Sequence, residues 1–315
     1  MQRKVNRVGA STLTVSLPSA WAKQHSITKG STVELKLDNN QLIIYPTTYK
    51  SEKKTYTLDL RGIKKMQKNL IYYVLKKGFD EVTVLFDDPS FLAVLQKLLR
   101  EEIIWYELVE QTRNSCLISL LLNESEQTFE KSIRKLFQVT LALAENIQEF
   151  AQKKDLEMLK STLKLEKSSN RLSNLCQRCL VTNTTYPQEQ QLALFTITYI
   201  LEKIADEFKY LIQEILKTKK IDSKINQSMK AVLPFLKKIY KLFYDFDLKE
   251  ASDLFGDTRD LTKRRYTLYH YLDMVPSYVN QILGLISFLE LSNKHIEKKY
   301  FKKTISSKSH FLITP

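Results

Sequence analysis

The sequence predicts a multidomain α+β protein, and three changes of hydrophobic period along its 315 residues predict it. Residues 1–48 read as short strands and turns, residues 53–123 alternate strands with helices, and residues 126–300 carry apolar side chains at three- and four-residue spacing. Only six glycines and seven prolines punctuate the chain, which suits helix-rich structure better than long flexible linkers. Residues 301–315 read as a basic tail.

In the first zone a basic strand (Arg3, Lys4, Arg7) runs into a small-residue turn at Gly9 to Thr12, then an apolar strand at Thr14 to Leu17. Pro18 opens a short helix to His25, at the position where its missing N–H has no helical partner to lose. Lys29-Gly30 supplies the next turn. Val33–Leu37 and Gln41–Tyr45 flank Asp38-Asn39-Asn40, a hairpin pattern. A segment this short and this rich in strands cannot bury its own apolar face, so it is expected to need a second copy of itself.

The middle zone reads βαβαββ: strand Thr55–Leu60, helix Lys64–Lys77 ended by Gly78, strand Glu81–Phe86, helix Pro89–Arg100, then strands Trp105–Gln111 and Cys116–Leu122. That order predicts a small open α/β or ferredoxin-like unit. It carries no Gly-rich phosphate loop, which excludes the common nucleotide-binding motifs.

Six helices are expected beyond it: Phe129–Gln152, Leu156–Val181, Gln188–Lys217, Lys224–Phe246, Leu248–Leu272 and Ser277–Glu297. Breaks at Asn183–Pro187, at Thr218–Ser223 and near Pro276 group them as two sets of three, the pattern of a duplicated three-helix unit.

Charge points to an anionic partner. Lys and Arg number 49 against 35 Asp and Glu, a net charge of +14. Residues 1–50 hold seven cationic and two anionic side chains in a compact motif. Lys294 to Lys308 holds six lysines against Glu297 and reads as a solvated end. The start of the chain lacks the apolar core of a signal peptide, and no apolar run approaches the ~20 residues of a bilayer span, so a cytoplasmic protein without membrane insertion is expected. Three cysteines, an odd number, do not suggest a disulfide framework.

The stretch RKVNRVGASTLTVSLPSAWAKQHSITKGSTVELKL resembles the AbrB/MazE/SpoVT swapped-hairpin domains. The basic strand, the VSLP run, Trp21 in the short helix and Lys29-Gly30 carry the likeness, with Ala10 standing where a second small residue usually follows Gly9. The resemblance implies a dimer made by exchange of hairpins, presenting basic strands and loops to DNA. Arg3, Lys4, Arg7, Ser11, Thr12 and Lys23 are the implied DNA-binding residues. Hydroxyls and backbone would lie on phosphates, and base contacts would come from the arginines. Without the resemblance, a solvated edge strand that uses charge against aggregation explains the same basic residues.

The helices resemble the PhoU phosphate-signalling regulators, which carry two three-helix repeats, and archaeal PhoU-like regulators join the two parts in this order. Metal sites of that family use Glu-x-x-x-Asp pairs. Glu202 and Asp206 match the third-helix motif, while Glu166 matches the preceding one with Asn170 in place of its Asp. Glu166, Glu202 and Asp206 are thus the implied ligands of a divalent or ferric ion in the first repeat. In the second repeat Ser277 replaces a carboxylate after Asp273, and Asp253, Asp257 and Asp260 are out of register. The competing reading is that these carboxylates are solvated or pair with Lys203 and Lys209.

Other patterns read as core. Cys176-Gln177-Arg178-Cys179 lies inside a predicted helix with no second Cys/His pair at zinc spacing, so two buried thiols are expected, and Cys116 with them. The aromatic runs Tyr240–Phe246 and Tyr266–Tyr271 fit a bundle interior, and Arg264 and Arg265 offer an unspecific anion contact. No nucleophile elbow, Walker loop or H-E-x-x-H occurs, so no enzyme is expected. The resulting expectation is a homodimeric DNA-binding regulator of phosphate uptake whose helices sense a signal. Two rivals remain: an interaction protein that docks on a phosphate transporter or kinase, and a metal-dependent enzyme in the bundle.

Overall fold

The computed structural model describes residues 2–38, 41–46, 53–63, 68–121, 126–182, 186–219, 222–263 and 268–293. The Asn39-Asn40 turn, the start of the expected helix at Lys64, the Arg264–Arg265 pair and the basic tail lie outside them. The chain divides into two compact units, Met1–Lys54 and Thr55–Pro315.

In the first unit β1 (Val5–Val8) pairs antiparallel with β2 (Thr12–Val15). The sequence placed these strands at the basic residues and at Thr14–Leu17. Instead Gly9, at φ +68°, turns the chain early enough for Val8 to sit opposite Thr12. Helix α1 (Ser19–Gln24) follows Pro18, and β3 (Val33–Asp38) pairs with β4 (Gln41–Pro46) as a second hairpin. The two hairpins are separate two-stranded sheets.

The second unit opens with β5 (Thr55–Asp59), α2 (Lys68–Lys76), β6 (Glu81–Leu85), α3 (Ser90–Glu101), β7 (Tyr106–Gln111) and β8 (Ser115–Leu120). Sheet order is β5-β6-β8-β7, parallel between β5 and β6 and antiparallel elsewhere. The βαβαββ chain order therefore gives an open mixed sheet and not a ferredoxin-like one, whose elements run β-α-β-β-α-β. Alternation sets the layers: Val82, Val84, Cys116 and Ile118 are buried beneath Ile71, Leu75, Leu95 and Leu99 of the helices.

The six long helices are α4 (Glu126–Lys153), α5 (Leu156–Thr182), α6 (Gln188–Thr218), α7 (Ser223–Tyr244), α8 (Leu248–Lys263) and α9 (Val275–Asn293). They share one continuous apolar core, from Phe129 and Leu136 through Ile204 and Phe208 to Val279 and Ile286. Pro234 lies on the exposed side of α7, so the helix runs through it with its apolar face intact. The expected helix to Leu272 ends at Lys263. Past it the backbone turns, with Leu272 N donating to Tyr269 O at 2.7 Å and Tyr269 N captured by Ser228 Oγ at 2.9 Å. Pro276 then falls in the first turn of α9, where proline is tolerated.

A buried cluster around Gly78 and Arg178 helps tie the sheet layer to the bundle. Gly78, at φ +88°, ends the turn after α2, and a Cβ there would lie 2.6 Å from Thr182 Cγ2 of α5. Beside it Arg178, 1% exposed, donates from Nη1 to Leu75 O at 2.6 Å and from Nη2 to Phe79 O at 3.2 Å. Its Nη1 also bonds the Tyr106 hydroxyl, which in turn donates to Phe79 O. A guanidinium is thus placed on the negative end of the α2 dipole and satisfies carbonyls the helix leaves open. Gly78→Ala combines a left-handed backbone with a clash and is expected to lower stability by about 2 kcal/mol. Arg178→Ala, which removes a buried guanidinium and leaves the Tyr106 hydroxyl as the side-chain donor to both Leu75 O and Phe79 O, should cost roughly 3 kcal/mol or more. Urea unfolding followed by far-UV circular dichroism checks both.

Candidate nucleic-acid interface and buried charges

Cross-strand register fixes which side chains of the first unit share a face. Val5 pairs with Val15 and Arg7 with Leu13, so these four lie on one face of the hairpin. Asn6, Val8, Thr12 and Thr14 lie on the other, where Thr14 Oγ1 donates to Asn6 O at 3.3 Å. In the second hairpin Val33, Leu35, Leu42, Ile44 and Pro46 share a face. Leu13 is 68% exposed, Leu35 62% and Val5 61%, although strand alternation has sorted them as core residues would be sorted.

The six residues implied for DNA are all exposed. Arg3 and Lys4 precede β1, Arg7 is in it, Ser11 closes the turn, Thr12 starts β2, and Lys23 is in the last turn of α1. Lys4, Arg7 and Lys23 form no ion pair among the described residues. Arg7, Ser11 and Thr12 therefore lie at the turn end of the hairpin and Arg3 and Lys4 beyond its open end, while Lys23 belongs to a separate helix. Arg7 lies among apolar neighbours, a feature the sequence pattern of basic residues did not show.

In the helices, α5 presents an unusual inner edge. Leu159, Thr162, Glu166, Ser169, Ser173, Cys176 and Leu180 recur at alternating three- and four-residue steps, all buried, where a bundle normally places apolar side chains. Facing them, α6 brings Thr198, Glu202, Asp206 and Lys209. Ser173 Oγ lies 2.8 Å from Glu202 Oε2 and accepts from Gln177 Nε2 at 3.1 Å. Gln177 Oε1 accepts from Lys76 Nζ of α2 at 2.9 Å. Burial pushes the Lys76 ammonium down, partly opposed by the charge of Glu202.

The three carboxylates implied as metal ligands do not converge on a common point. Glu166 Oε1 accepts from Lys209 Nζ at 3.1 Å and from Asn170 Nδ2 at 3.0 Å. Asp206 bonds Lys209 through Oδ1 and Lys203 through Oδ2, the latter at 3.0 Å. Glu202 is held by Ser173. No group of three or more His, Cys, Asp or Glu among the described residues could hold a metal ion, so the residues present do not fit that cofactor. For Lys209 burial disfavours the charge, but hydrogen bonds to Asp206 and Glu166 and their charges outweigh it and raise its pKa. Glu207 is raised by burial first, then by the neighbouring charges of Asp273 and Asp206. In the second repeat Asp257 and Asp260 are exposed, each near a lysine at 3.4 and 3.7 Å.

Cys176 and Cys179 are buried, reduced thiols in the last two turns of α5, and burial, reinforced by the neighbouring Cys179, holds the Cys176 thiol well above its ordinary range. Burial pushes Cys116 up to about 11. Arg178, between the two cysteines, is the residue that sequence reasoning passed over. Its signal was a lone cation inside an otherwise apolar run.

Among known families, the one described as "Antidote-toxin recognition MazE, bacterial antitoxin" matches residues 7–53. This supports an N-terminal domain of the MazE/AbrB type, a type that typically dimerises and binds DNA. No curated protein and no solved structure matches the chain. No helix among the described residues is long and apolar enough to cross a membrane. For the thiols the expected outcome is plain: native protein should react negligibly with Ellman's reagent over minutes, and all three cysteines should react in guanidinium.

Proposed function

We propose that this protein is a homodimeric DNA-binding regulator in which the two hairpins of residues 1–48 form the DNA-binding platform and the helical unit receives the signal. The observation that carries the reading is the pairing of an uncovered apolar hairpin face with basic side chains before and within β1, at the start of the segment that matches a MazE-type family. Joining two copies would cover Val5, Leu13, Val15 and Leu35 and bring two sets of Arg3, Lys4, Arg7 and Lys23 onto one particle. Spaced cations on a rigid β platform suit two stretches of phosphate backbone. The action proposed is binding, not bond-making: a change in the helices would alter the placement of the two DNA-contacting halves.

That the regulated process is phosphate uptake rests on the likeness of the helix motifs to PhoU regulators. Its check is whether phosphate starvation alters occupancy of the chain on DNA. A second reading, in which the chain holds a partner protein, draws on the description of the matched family as antitoxins. It also draws on the exposed Leu192 and Tyr199, two turns apart on one face of α6.

A salt series separates the two readings. If a dimer neutralises ~6 phosphates, affinity should fall by orders of magnitude between roughly 50 and 200 mM salt. Replacing Arg3 and Arg7 by alanine should weaken binding and flatten the salt slope by up to ~4. Unchanged affinity in that variant would remove the hairpin from the interface and leave the partner-protein reading.

A further inference from the structure

Of the two readings the sequence leaves open at these carboxylates, a metal ion or ion pairs with Lys203 and Lys209, the structure holds the ammonium groups. Lys209 Nζ lies 3.1 Å from Glu166 Oε1 on the opposite helix and bonds Asp206 Oδ1 one turn back on its own. It sits 4.8 Å from the centroid of the Tyr210 ring. Two carboxylate acceptors and an aromatic face account for the directions in which an ammonium can donate. The site is sheltered: side-chain exposure is 6% for Glu166, 14% for Asp206 and 19% for Lys209.

Each of the three carboxylates has a cation near it: Glu166 and Asp206 bond Lys209, Asp206 also bonds Lys203, and Glu202 lies in the field of Lys76 from α2. The neighbouring Glu207 adds a carboxyl whose pKa burial, Asp273 and Asp206 raise. Asn170 keeps the negative charge lower. An aspartate there would add a fourth negative charge one turn from Glu166, whereas the amide donates to Glu166 Oε1 at 3.0 Å. Its Oδ1 is buried with no partner among the described residues, so the amide is held there by that one donated bond.

We infer that Lys209 is a built-in cation that takes the place of a metal ion between α5 and α6, so that Glu166 and Asp206 need no divalent ion to stay buried. The buried carboxylates themselves are unremarkable as an ion pair. What distinguishes the arrangement is that one side chain bridges the two helices as a bound cation would, with the neighbouring Asp replaced by Asn. The helical unit then keeps one charge state whatever the supply of divalent metal, and its signal is read elsewhere. This inference stands apart from what the hairpins bind.

Thermal melting of the full-length chain in EDTA and in about 1 mM Mn2+ tests it, using Mn2+ as a hard cation suited to carboxylates. The wild-type midpoint should agree between the two within roughly 1 °C. Lys209→Ala, which leaves two buried carboxylates sharing no bridging cation, should melt lower by roughly 6–10 °C in EDTA and regain much of that in Mn2+. Adding Glu166→Gln to Lys209→Ala should restore most of the midpoint without metal and abolish the Mn2+ response. If the single variant fails to accumulate, the double variant still decides, since charge relief should let it fold. A Mn2+-stabilised wild type, an unchanged Lys209→Ala midpoint, a loss that Mn2+ does not reverse, or a double variant that fails to fold would each overturn the inference.

Discussion

The constraint on which the account rests is that a unit of two small hairpins sorts its side chains as a core would, yet leaves them uncovered. Register puts Val5, Leu13 and Val15 on one face of the first hairpin and Val33, Leu35, Leu42 and Ile44 on one face of the second. Two-stranded sheets of this size are marginal alone. The apolar area on show is what a second copy would cover, and burying it is worth roughly 25 cal/mol per Å2. On the proposed reading charge follows from the same geometry, because pairing would also double the basic side chains presented to a polyanion. Dimerisation and DNA binding would then be two consequences of one arrangement.

The second unit solves the opposite problem. It has ample apolar core, and its specificity comes from buried polar groups. Arg178 reaches out of the bundle to cap the carbonyls after α2, and Gly78 permits the backbone to come close enough for that reach. On the same helix the inner edge from Thr162 to Ser173 gives up apolar contacts in favour of a hydrogen bond from Asn146 of α4 and hydrogen bonds and ion pairs across to α6. Such groups add little net stability, but removing one member of a satisfied set is costly, so they fix which helix faces which.

Much of this was legible in the sequence, and the exceptions have physical causes. The starts of α5, α6, α7 and α8 fall within a residue of the expected Leu156, Gln188, Lys224 and Leu248, where apolar spacing sets in. Those of β1 and β2 were missed by two residues because basic residues were read as strand, whereas Gly9 sets the turn. The end of α8 was missed because residues 268–272 keep helical spacing while Ser228, distant in sequence, captures the backbone at Tyr269. Glu202 and Asp206 were correctly placed on α6, and their pairing with Lys203 and Lys209 of the same helix was one of the two readings the spacing left open. Spacing along one helix could not show that Glu166 and Ser173 of α5 arrive opposite them. Arg178 was hidden for the same reason, since its partners lie on α2 and β7.

The most direct measurement of the central claim is sedimentation equilibrium of the full-length chain at micromolar concentration, with and without Leu13→Glu plus Leu35→Glu. The account predicts a wild-type mass of twice the chain's 36.9 kDa. It predicts a monomer in the variant, with the helical circular dichroism unchanged because those residues belong to the other unit. A wild-type chain that remains monomeric, or a variant that remains dimeric, would contradict it.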